Sequence, residues 1–532
     1  MSAKRWILLI LTIISLIPVL FSLIDSINQP QVQVNLELYH TNLVLQSSGF
    51  FSRDSKISQA ETNLNFIEFK NVLIGKDPYK VISNRYKTAI KTSQNNLNEL
   101  ENKFDLITHN STLLGVKNHS INSSGNSKYS ANQEQLVTNI NSQKEIINNL
   151  KLKLGILIVK QGDKSRAVKG WKLLLADNSA SNLDSKTGTI ANILINLWND
   201  NPKILPDAEL QIQSNLNGWF SYQALKRLYT VQDRQADLIS LENRQKEKAN
   251  KTIIKLIWIS IIPVLLGIIG VALLIFLLTQ LFFKKQESIL YIDKRLSWTS
   301  PWDAETIWQV LIVGFFFFGQ IIFPVVFNFF PFELTDLSLR QKAFYILVSY
   351  LSMTLAGFSV LYWSIKSYFP LPKGWFRFKL KSNCLAWGVG GYLVALPLVI
   401  IVSLINQYIW DGQGGSNPLL FLALESQDKV VLAIFYFTAS LAAPFYEEIM
   451  FRGFLLPSLT RYIPVWAAIS ISSVIFALAH LNLSEVLPLG ILGIVLGVVY
   501  TKSRNLLSSM LVHSLWNSGT LLNLFLLGSS IK

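Results

Sequence analysis

The chain has 532 residues, enough for two or three domains; half of them are apolar and only 15% are charged, as in a protein that lies partly in a membrane. The formal net charge of +15 comes without a basic stripe that interleaves with aromatics, so the composition does not favour a nucleic-acid partner. The single cysteine, Cys384, excludes a disulfide framework, a thiolate zinc site and a locally supported cysteine nucleophile.

The first predicted element is a transmembrane helix close to the N-terminus, from about residue 6 to residue 24, with two basic residues just before it. A signal peptide normally has an apolar core of about 7–15 residues followed by a small-residue cleavage site. The core in this chain is longer, and the polar sequence Asp25-Ser26-Ile27-Asn28 follows it. We therefore expect residues 1–24 to form an uncleaved N-terminal transmembrane anchor.

The next segment, residues 25–252, is polar and lacks cysteine, which predicts a soluble domain without disulfides. Apolar residues recur at helical spacing in 81–104 and in 131–158, so we expect these two segments to pair as an antiparallel helical hairpin. Residues 106–130 between them are rich in Asn and Ser and are typical of a flexible connector. Further helical stretches, such as Trp219–Ala249, predict a mainly helical domain without the fixed period of a solenoid.

Apolar stretches after residue 252 predict a bundle of membrane-spanning helices, because a helix needs about 20 apolar residues to cross a bilayer. With the N-terminal anchor they make about nine spans, and they lie near residues 253–283, 305–330, 342–365, 384–408, 429–456, 464–482, 485–501 and 505–528. The predicted fold class is all-α: a polytopic transmembrane helical bundle with an inserted helical domain.

The distribution of Lys and Arg in short connections predicts the orientation of these spans. One set of alternate connections carries Lys4, Arg5, Lys284, Lys285, Lys294, Arg295, Lys366, Lys373, Arg377, Lys379, Lys381, Arg452, Arg461, Lys502 and Arg504. The opposite set carries Glu333, Asp336, Asp411, Glu425, Asp428 and Glu485, beside Arg340, Lys342 and Lys429. We predict a cytoplasmic N-terminus, an exoplasmic domain at 25–252, a transmembrane helix at 253–283 and a cytoplasmic linker at 284–304, in a bacterial inner or thylakoid-type membrane.

Three short motifs place ionisable groups inside apolar segments near the C-terminus. They are Glu447-Glu448-Ile449-Met450-Phe451-Arg452, Phe476-Ala477-Leu478-Ala479-His480 and His513-Ser514-Leu515-Trp516-Asn517. A charged side chain at the bilayer centre costs about 2.5–3.5 kcal/mol even on lenient insertion scales, so such groups are usually functional. Any one of them alone could be an interfacial charge or a packing residue. Together, the three motifs predict a catalytic site.

The spacing within the first motif separates the roles of its two acids. Glu448 and Arg452 are four residues apart with the acid first, which is the better orientation for a helical ion pair. Burial makes this pairing nearly compulsory, because an isolated charge in a low dielectric is very costly. Glu447 has no such partner, and we interpret it as the general base that activates water.

The ordered series E-E-x-x-x-R, F-x-x-x-H and H-x-x-x-N on successive apolar helices resembles the CAAX protease and bacteriocin-processing (Abi) family of intramembrane endopeptidases, which includes the Ras-converting CAAX endopeptidases. The resemblance covers roughly the last 150 residues and implies that 305–532 is an intramembrane catalytic bundle. It implies that His480 joins Glu447 at the nucleophilic water. It also implies that His513 and Asn517 polarise the scissile carbonyl.

Two histidines and two glutamates also leave a metal site open, because zinc proteases commonly use two His and a carboxylate. The ligands would then be Glu447, His480 and His513. The sequence lacks the compact His-Glu-x-x-His motif of soluble zinc enzymes. We expect no obligatory cofactor, with zinc as the alternative.

The predicted function is an intramembrane endopeptidase that hydrolyses a membrane-associated protein or peptide with glutamate-activated water. The alternatives are a non-catalytic membrane scaffold or bacteriocin-immunity-type protein of the same fold and, less favoured, a transporter. The predicted partners are the substrate, the lipid bilayer and a protein that binds the exoplasmic domain. In the nine-span map Glu447 and His480 differ in depth, so their convergence requires a kinked helix or a shifted boundary.

Overall fold

The structure is a computed structural model, and it describes residues 2–27, 29, 31–48, 71, 73–113, 131–181, 185–293, 296–328, 337–380, 383–426 and 428–529. The described residues lie in helices and in the loops that connect them. The helices up to residue 256 are α1 Ala3–Ser26, α2 Val32–Ser47, α3 Pro78–Leu113, α4 Ala131–Lys160, α5 Lys164–Ser181, α6 Ser185–Trp198, α7 Ala208–Asn215, α8 Gly218–Val231 and α9 Gln235–Leu256.

The remaining helices follow in the C-terminal half of the chain. They are α10 Ile262–Lys284, α11 Ala304–Val326, α12 Leu339–Ile365, α13 Cys384–Trp410, α14 Pro418–Glu425, α15 Lys429–Leu459, α16 Val465–Leu478, α17 Leu483–Ser503 and α18 Leu506–Gly528. By its contacts the chain divides into two compact units. The bundle unit contains residues 1–33 and 258–529, and the polar unit contains residues 34–257. The predicted functional division of the chain into five segments stays a prediction.

Eight helical stretches among the described residues are long and apolar enough to cross a membrane. They are Ala3–Ser26, Gln235–Glu287, Ala304–Val326, Leu339–Tyr368, Cys384–Trp410, Lys429–Leu459, Leu483–Ser503 and Leu506–Gly528. The predicted all-α membrane bundle is therefore confirmed, and the count of about nine spans agrees roughly. The difference lies at 464–482, where α16 has only 14 residues and rises about 21 Å, less than the roughly 30 Å of a hydrocarbon core.

The bundle unit is built around close helix packing. Helix α13 packs against α10, α17 and α18, α16 packs against α17, and α11 lies against α1 and α12. Gly391 of α13 permits one of these approaches, because a Cβ atom there would lie 2.7 Å from Val499 and 2.8 Å from Val512. Helix α1 is thus a component of the bundle unit, joined to α11 by a hydrogen bond of 2.8 Å from Trp308 to the hydroxyl of Thr12.

The connections of the bundle unit gather at two ends. The first is called the basic end, because lysine and arginine side chains make most of its contacts. Arg5 pairs with Glu305, and the side chains of Lys502, Arg504 and Arg461 donate to the backbone carbonyls of Tyr291, Leu296 and Trp302. The backbone amide of Lys379 donates to the side chain of Asn505. At the opposite end they join Gln31 to Gly412, Gly415 to Gln29, Ser484 to Gly414, Asn417 to Glu485 and Arg340 to Asp428. Among the described residues, the contacts thus place basic connections and acidic connections at two different ends of the bundle unit. Arg452 is a correction, because it was predicted in a basic connection and instead lies inside α15, fully buried.

The polar unit contains the predicted helical hairpin. Helices α3 and α4 pack through a buried cluster that includes Leu97, Ile140 and Ile147, and Gln143 donates a hydrogen bond of 3.1 Å to the carbonyl of Ser93. The start predicted for the flexible connector at residue 106 is wrong, because α3 continues to Leu113. Apolar residues become less frequent only gradually toward the C-terminal end of α3, so the composition does not mark the residue at which the helix ends. The rest of the predicted connector, 114–130, lies outside the described residues.

Candidate active site

Helix α15 carries the first motif, and its backbone departs from regular α-helix on both sides of Glu447. The segments Thr438–Ala442 and Glu448–Leu455 are π-helical, with wider turns than an α-helix. Pro444 lies between them and lacks an N–H, so one bond of the helical ladder is missing. Such wide turns are frequent at functional sites, and here they change the direction in which Glu447 and its neighbours project.

Glu448 and Arg452 form a fully buried ion pair in the core of the bundle unit. The Arg452 Nη1 donates to Glu448 Oε1 at 2.9 Å, and both residues are 0% exposed. Arg452 Nη2 also donates to the carbonyl of Gly493 in α17 at 3.2 Å, and the guanidinium lies 4.3 Å from the ring centre of Phe476 in α16. The ion pair predicted from the i,i+4 spacing is therefore present. It also joins three helices.

His513 of α18 lies between the two glutamates of α15. Its Nδ1 is 3.0 Å from Glu448 Oε1, and its Nε2 is 3.8 Å from Glu447 Oε2. Because a carboxylate accepts hydrogen bonds, we assign the proton of the first contact to Nδ1. The second distance is too long for a direct hydrogen bond. Glu448 thus orients the imidazole so that Nε2 faces Glu447.

One carboxylate oxygen of Glu447 accepts a hydrogen bond, and the other has no partner among the described residues. The hydroxyl of Tyr350 in α12 donates to Glu447 Oε1 at 3.3 Å. The second carboxylate oxygen, Oε2, is buried and has no hydrogen-bond partner among the described residues. A buried polar atom without a partner is costly and calls for a water or a ligand. The open oxygen is the one that faces His513.

His480 follows the C-terminal end of α16 and is oriented by its own backbone. Its Nδ1 lies 2.9 Å from the carbonyl of Phe476. A carbonyl only accepts, so Nδ1 carries a proton and Nε2 of the neutral ring is left as an acceptor. The amide of Asn482 donates to the carbonyl of His480 at 3.0 Å and steadies the turn.

The predicted site residues meet at a cavity of about 350 Å³ in the bundle unit. Glu447, His480, His513 and Asn517 all line it, so the short α16 and the irregular α15 bring together two groups that the nine-span map separated in depth. Asn517 Nδ2 donates to the carbonyl of Ala439 at 2.7 Å, which leaves it one further N–H. Glu448 and Arg452 lie behind this lining.

The same region of the chain resembles known proteins. Residues 429–519, which contain all the predicted site residues, match the model of the Rce1-like type II CAAX prenyl endopeptidases. UPF0177 protein YxdF of Lactococcus lactis is 34% identical over 168 residues, which are 31% of this chain and 80% of that protein. The chain belongs to the CAAX protease (Abi) family. It is an integral membrane protein.

Other relatives of this CAAX-protease-family chain match a smaller share of their own length. Membrane-embedded CAAX protease MroQ of Staphylococcus aureus is 25% identical over 146 residues, 26% of this chain and 57% of that protein. YdiL of Bacillus subtilis is 26% identical over 133 residues, 25% of this chain and 53% of that protein. The chain thus spans little more than half of the length of these two relatives. No solved structure gives a significant match.

The carboxylates and imidazoles of the cavity are the groups that could hold a metal. Within the described part of the chain, no three His, Cys, Asp or Glu side chains converge closely enough to hold a metal ion. Of the three predicted ligands, Glu447 and His513 are the pair with a recorded contact in the described residues, with 3.8 Å between Oε2 and Nε2. The arrangement therefore does not fit the predicted alternative of zinc on Glu447, His480 and His513, and no chemical step is derived through a metal.

Two further residues of the site were not predicted from the sequence. Tyr350 lies in an apolar helix where an aromatic residue is ordinary, so no sequence signal distinguishes it. Glu485 was interpreted as a loop charge, whereas it lies in the first turn of α17 and lines the same cavity as Glu447. An acid in the first turn of an apolar helix was a signal, but only the packing of α17 shows that this residue lines the cavity.

Proposed function

We propose that this protein is an intramembrane endopeptidase that hydrolyses a peptide bond of a membrane-associated protein or peptide with glutamate-activated water. The single observation that carries the proposal is Glu447 Oε2, a buried carboxylate oxygen without a partner at a cavity that histidines also line. At about 30 Å³ for each water, the cavity has room for on the order of ten waters. Family membership and the relatives' names support the reaction class.

The chemistry assigned to each residue follows from its contacts. Glu447 Oε2 accepts a proton as water attacks the carbonyl carbon, and Tyr350 holds the other oxygen in place. His480 presents Nε2 as an acceptor and helps to hold the water. The proton on the carboxyl of Glu447 then passes to the leaving amine. No acyl-enzyme forms, because the nucleophile is water.

Asn517 and His513 are assigned to stabilise the negative charge that develops on the oxygen of the scissile carbonyl. Asn517 offers the N–H that its contact with Ala439 leaves free. His513 already uses Nδ1–H on Glu448, so donation from Nε2 requires the doubly protonated ring. Its positive charge would lie between the carboxylates of Glu447 and Glu448. Donors that are held in place before the reaction stabilise such an oxygen most effectively.

The proposed setting is a bacterial inner membrane with a cytoplasmic basic end and an exoplasmic opposite end. The excess of Lys and Arg at the basic end supports this orientation, and the relatives described above are bacterial. Residues 25–252 would then be exoplasmic, where their helical hairpin and further helices could bind a protein partner.

The orientation is tested with single cysteines. After Cys384 is replaced by serine, a cysteine at residue 100 or 200 is expected to react with a membrane-impermeant maleimide added to intact cells. A cysteine at residue 373, in the connection between α12 and α13, should react only after the membrane is opened. Labelling in the reverse pattern would contradict the proposed orientation.

The reaction is tested by comparing membranes that contain wild-type protein with membranes that contain Glu447→Gln. Quantitative proteomics should show at least one membrane-associated protein that is cut only with wild type and that co-purifies with the inactive variant. The new ends of the fragments that wild-type protein produces then identify the cleaved bond. Identical proteomes would favour the alternative of a non-catalytic scaffold.

Replacing Asn517 by alanine is expected to lower kcat by about 10²–10³-fold with little change in substrate binding, because only the transition state gains from that donor. Ser518→Ala is the matched control on the same helix and should keep wild-type kcat. An unchanged kcat in Asn517→Ala would remove Asn517 from the proposed mechanism.

Metal analysis of the purified wild-type protein, together with its activity in the presence of a chelator, decides whether a metal is needed. We expect activity to survive thorough chelation, since the described donors do not converge on a metal position. One tightly bound metal per chain that is required for turnover would overturn this expectation, and release of that metal on replacement of His480 or His513 would identify them as ligands.

A further inference from the structure

A second carboxylate lines the proposed catalytic cavity. Glu485 lies in the first turn of α17 at the opposite end of the bundle unit, and the cavity that it lines is also lined by Glu447 and His480. The loop before α14 closes over it, because the N–H of Asn417 donates to Glu485 Oε1 at 2.9 Å. Glu485 therefore lies where the polar connections of the opposite end meet the apolar wall of the cavity.

Among the described residues, no lysine or arginine offsets the charge of Glu485, whose neighbours are the N–H of Asn417, the side chain of Asn482 and the ring of His480. Among the described ion pairs, none joins half-buried Glu485 to a lysine or arginine, whereas Glu448, which is fully buried, is paired with Arg452. None of the described residues that line the cavity is Lys or Arg. Apart from its polar groups, the lining is formed by side chains such as Leu419, Leu489 and Trp516. A half-buried carboxylate beside an apolar wall attracts a cation more strongly than it would in bulk water, because the local dielectric is lower.

We propose that Glu485 binds a Lys or Arg side chain of the substrate and so selects substrates with a basic residue close to the scissile bond. The inference rests on the proposed endopeptidase function and adds the chemical class of the substrate. Both carboxylates line one cavity, so a chain that presents its carbonyl to Glu447 passes near Glu485. A cationic side chain at that point supplies the permanent positive charge that no described residue of the lining carries, and it gains a charge-assisted hydrogen bond.

A purely structural role for Glu485 can be separated from this one. Its contact with the N–H of Asn417 needs only an acceptor oxygen, and the amide of glutamine provides one. Glu485→Gln should therefore keep the fold and remove only the negative charge. Glu485→Lys reverses the charge. Asp411→Asn is the matched control, because Asp411 is an exposed acid that does not appear among the described residues of the cavity lining.

The test uses three fluorescent peptides that share one apolar sequence and differ at a single position, which is Lys, Gln or Glu. Binding is measured by fluorescence anisotropy on full-length protein in detergent, in the Glu447→Gln background so that nothing is cut. We expect the Lys peptide to bind about 10- to 100-fold more tightly than the Glu peptide. The preference should vanish with Glu485→Gln, reverse with Glu485→Lys and persist with Asp411→Asn.

The outcomes separate this inference from the proposed function. Equal binding of the three peptides, absence of binding, or a preference that survives Glu485→Gln would overturn the inference. If the Lys peptide binds preferentially and wild-type protein cuts none of the three, charge recognition stands and the endopeptidase function fails. If wild type cuts all three with equal kcat/KM, the endopeptidase function stands and charge recognition fails. An equal fall of kcat for all three peptides in Glu485→Gln, with KM unchanged, would assign Glu485 to the catalytic groups instead.

Discussion

Replacing Glu447 by glutamine is expected to lower the turnover of peptide hydrolysis by at least about 10²-fold and to leave the protein folded. The amide has nearly the same shape and can still accept the hydrogen bond of Tyr350, but it cannot take a proton from water. General bases contribute about 10²–10⁴-fold to such reactions. The measurement is the initial rate on a peptide that wild-type protein cuts, with the thermal midpoint in detergent recorded for both proteins.

A matched control for this loss is Tyr350→Phe. It removes the hydroxyl that holds Glu447 Oε1 but leaves the base itself, so we expect a smaller fall in rate than in Glu447→Gln. Wild-type activity in Glu447→Gln would exclude Glu447 as the base. A much lower thermal midpoint in Glu447→Gln would mean that the side chain is needed for a stable fold, and that loss of folding explains the loss of activity.

Replacing Glu448 by glutamine is expected to destabilise the bundle unit strongly, because Arg452 is then left buried and unpaired. Breaking a buried pair from one side costs about 3–5 kcal/mol. The loss also reaches His513, whose Nδ1 contacts the same oxygen as Arg452. The measurement is the free energy of unfolding in mixed detergent and denaturant, compared between wild type, Glu448→Gln and Glu447→Gln.

The exposed ion pair between Arg340 and Asp428 provides the control for burial. Arg340→Gln breaks a pair of the same chemistry in water, and we expect its unfolding midpoint to match that of wild type. The double variant Glu448→Leu/Arg452→Leu leaves no unpaired charge and should recover part of the stability. Equal stability of Glu448→Gln, Glu447→Gln and wild type would contradict the proposed division between a base and a structural pair.

Much of the fold follows from local sequence pattern. Long apolar stretches predicted the membrane helices, and the apolar spacing of 81–104 and 131–158 predicted the hairpin of α3 and α4. The pattern was less informative where composition changes gradually. It did not show that 464–482 contains a helix too short to span, or that α3 continues to Leu113.

The ion pair of Glu448 and Arg452 could be predicted for the same local reason. Residues four apart in one helix are neighbours whatever surrounds them, and desolvation makes the pairing obligatory. The motifs also selected His480, His513 and Asn517, which the structure places at one cavity with Glu447. Their catalytic roles stay predictions, and the experiments above test them.

Contacts between helices depended on tertiary structure alone. The contact of His513 with Glu448, the hydrogen bond from Tyr350 to Glu447 and the position of Glu485 in the cavity join residues that are distant in the chain. Helical periodicity sets which residues share a face of one helix, so the sequence determined the spans and the pair on α15. The rotation and depth of neighbouring helices come from packing and from irregular backbone such as the π-helical turns beside Glu447. For that reason only the tertiary structure decided which oxygen of Glu447 is open and that Glu485 lines the same cavity.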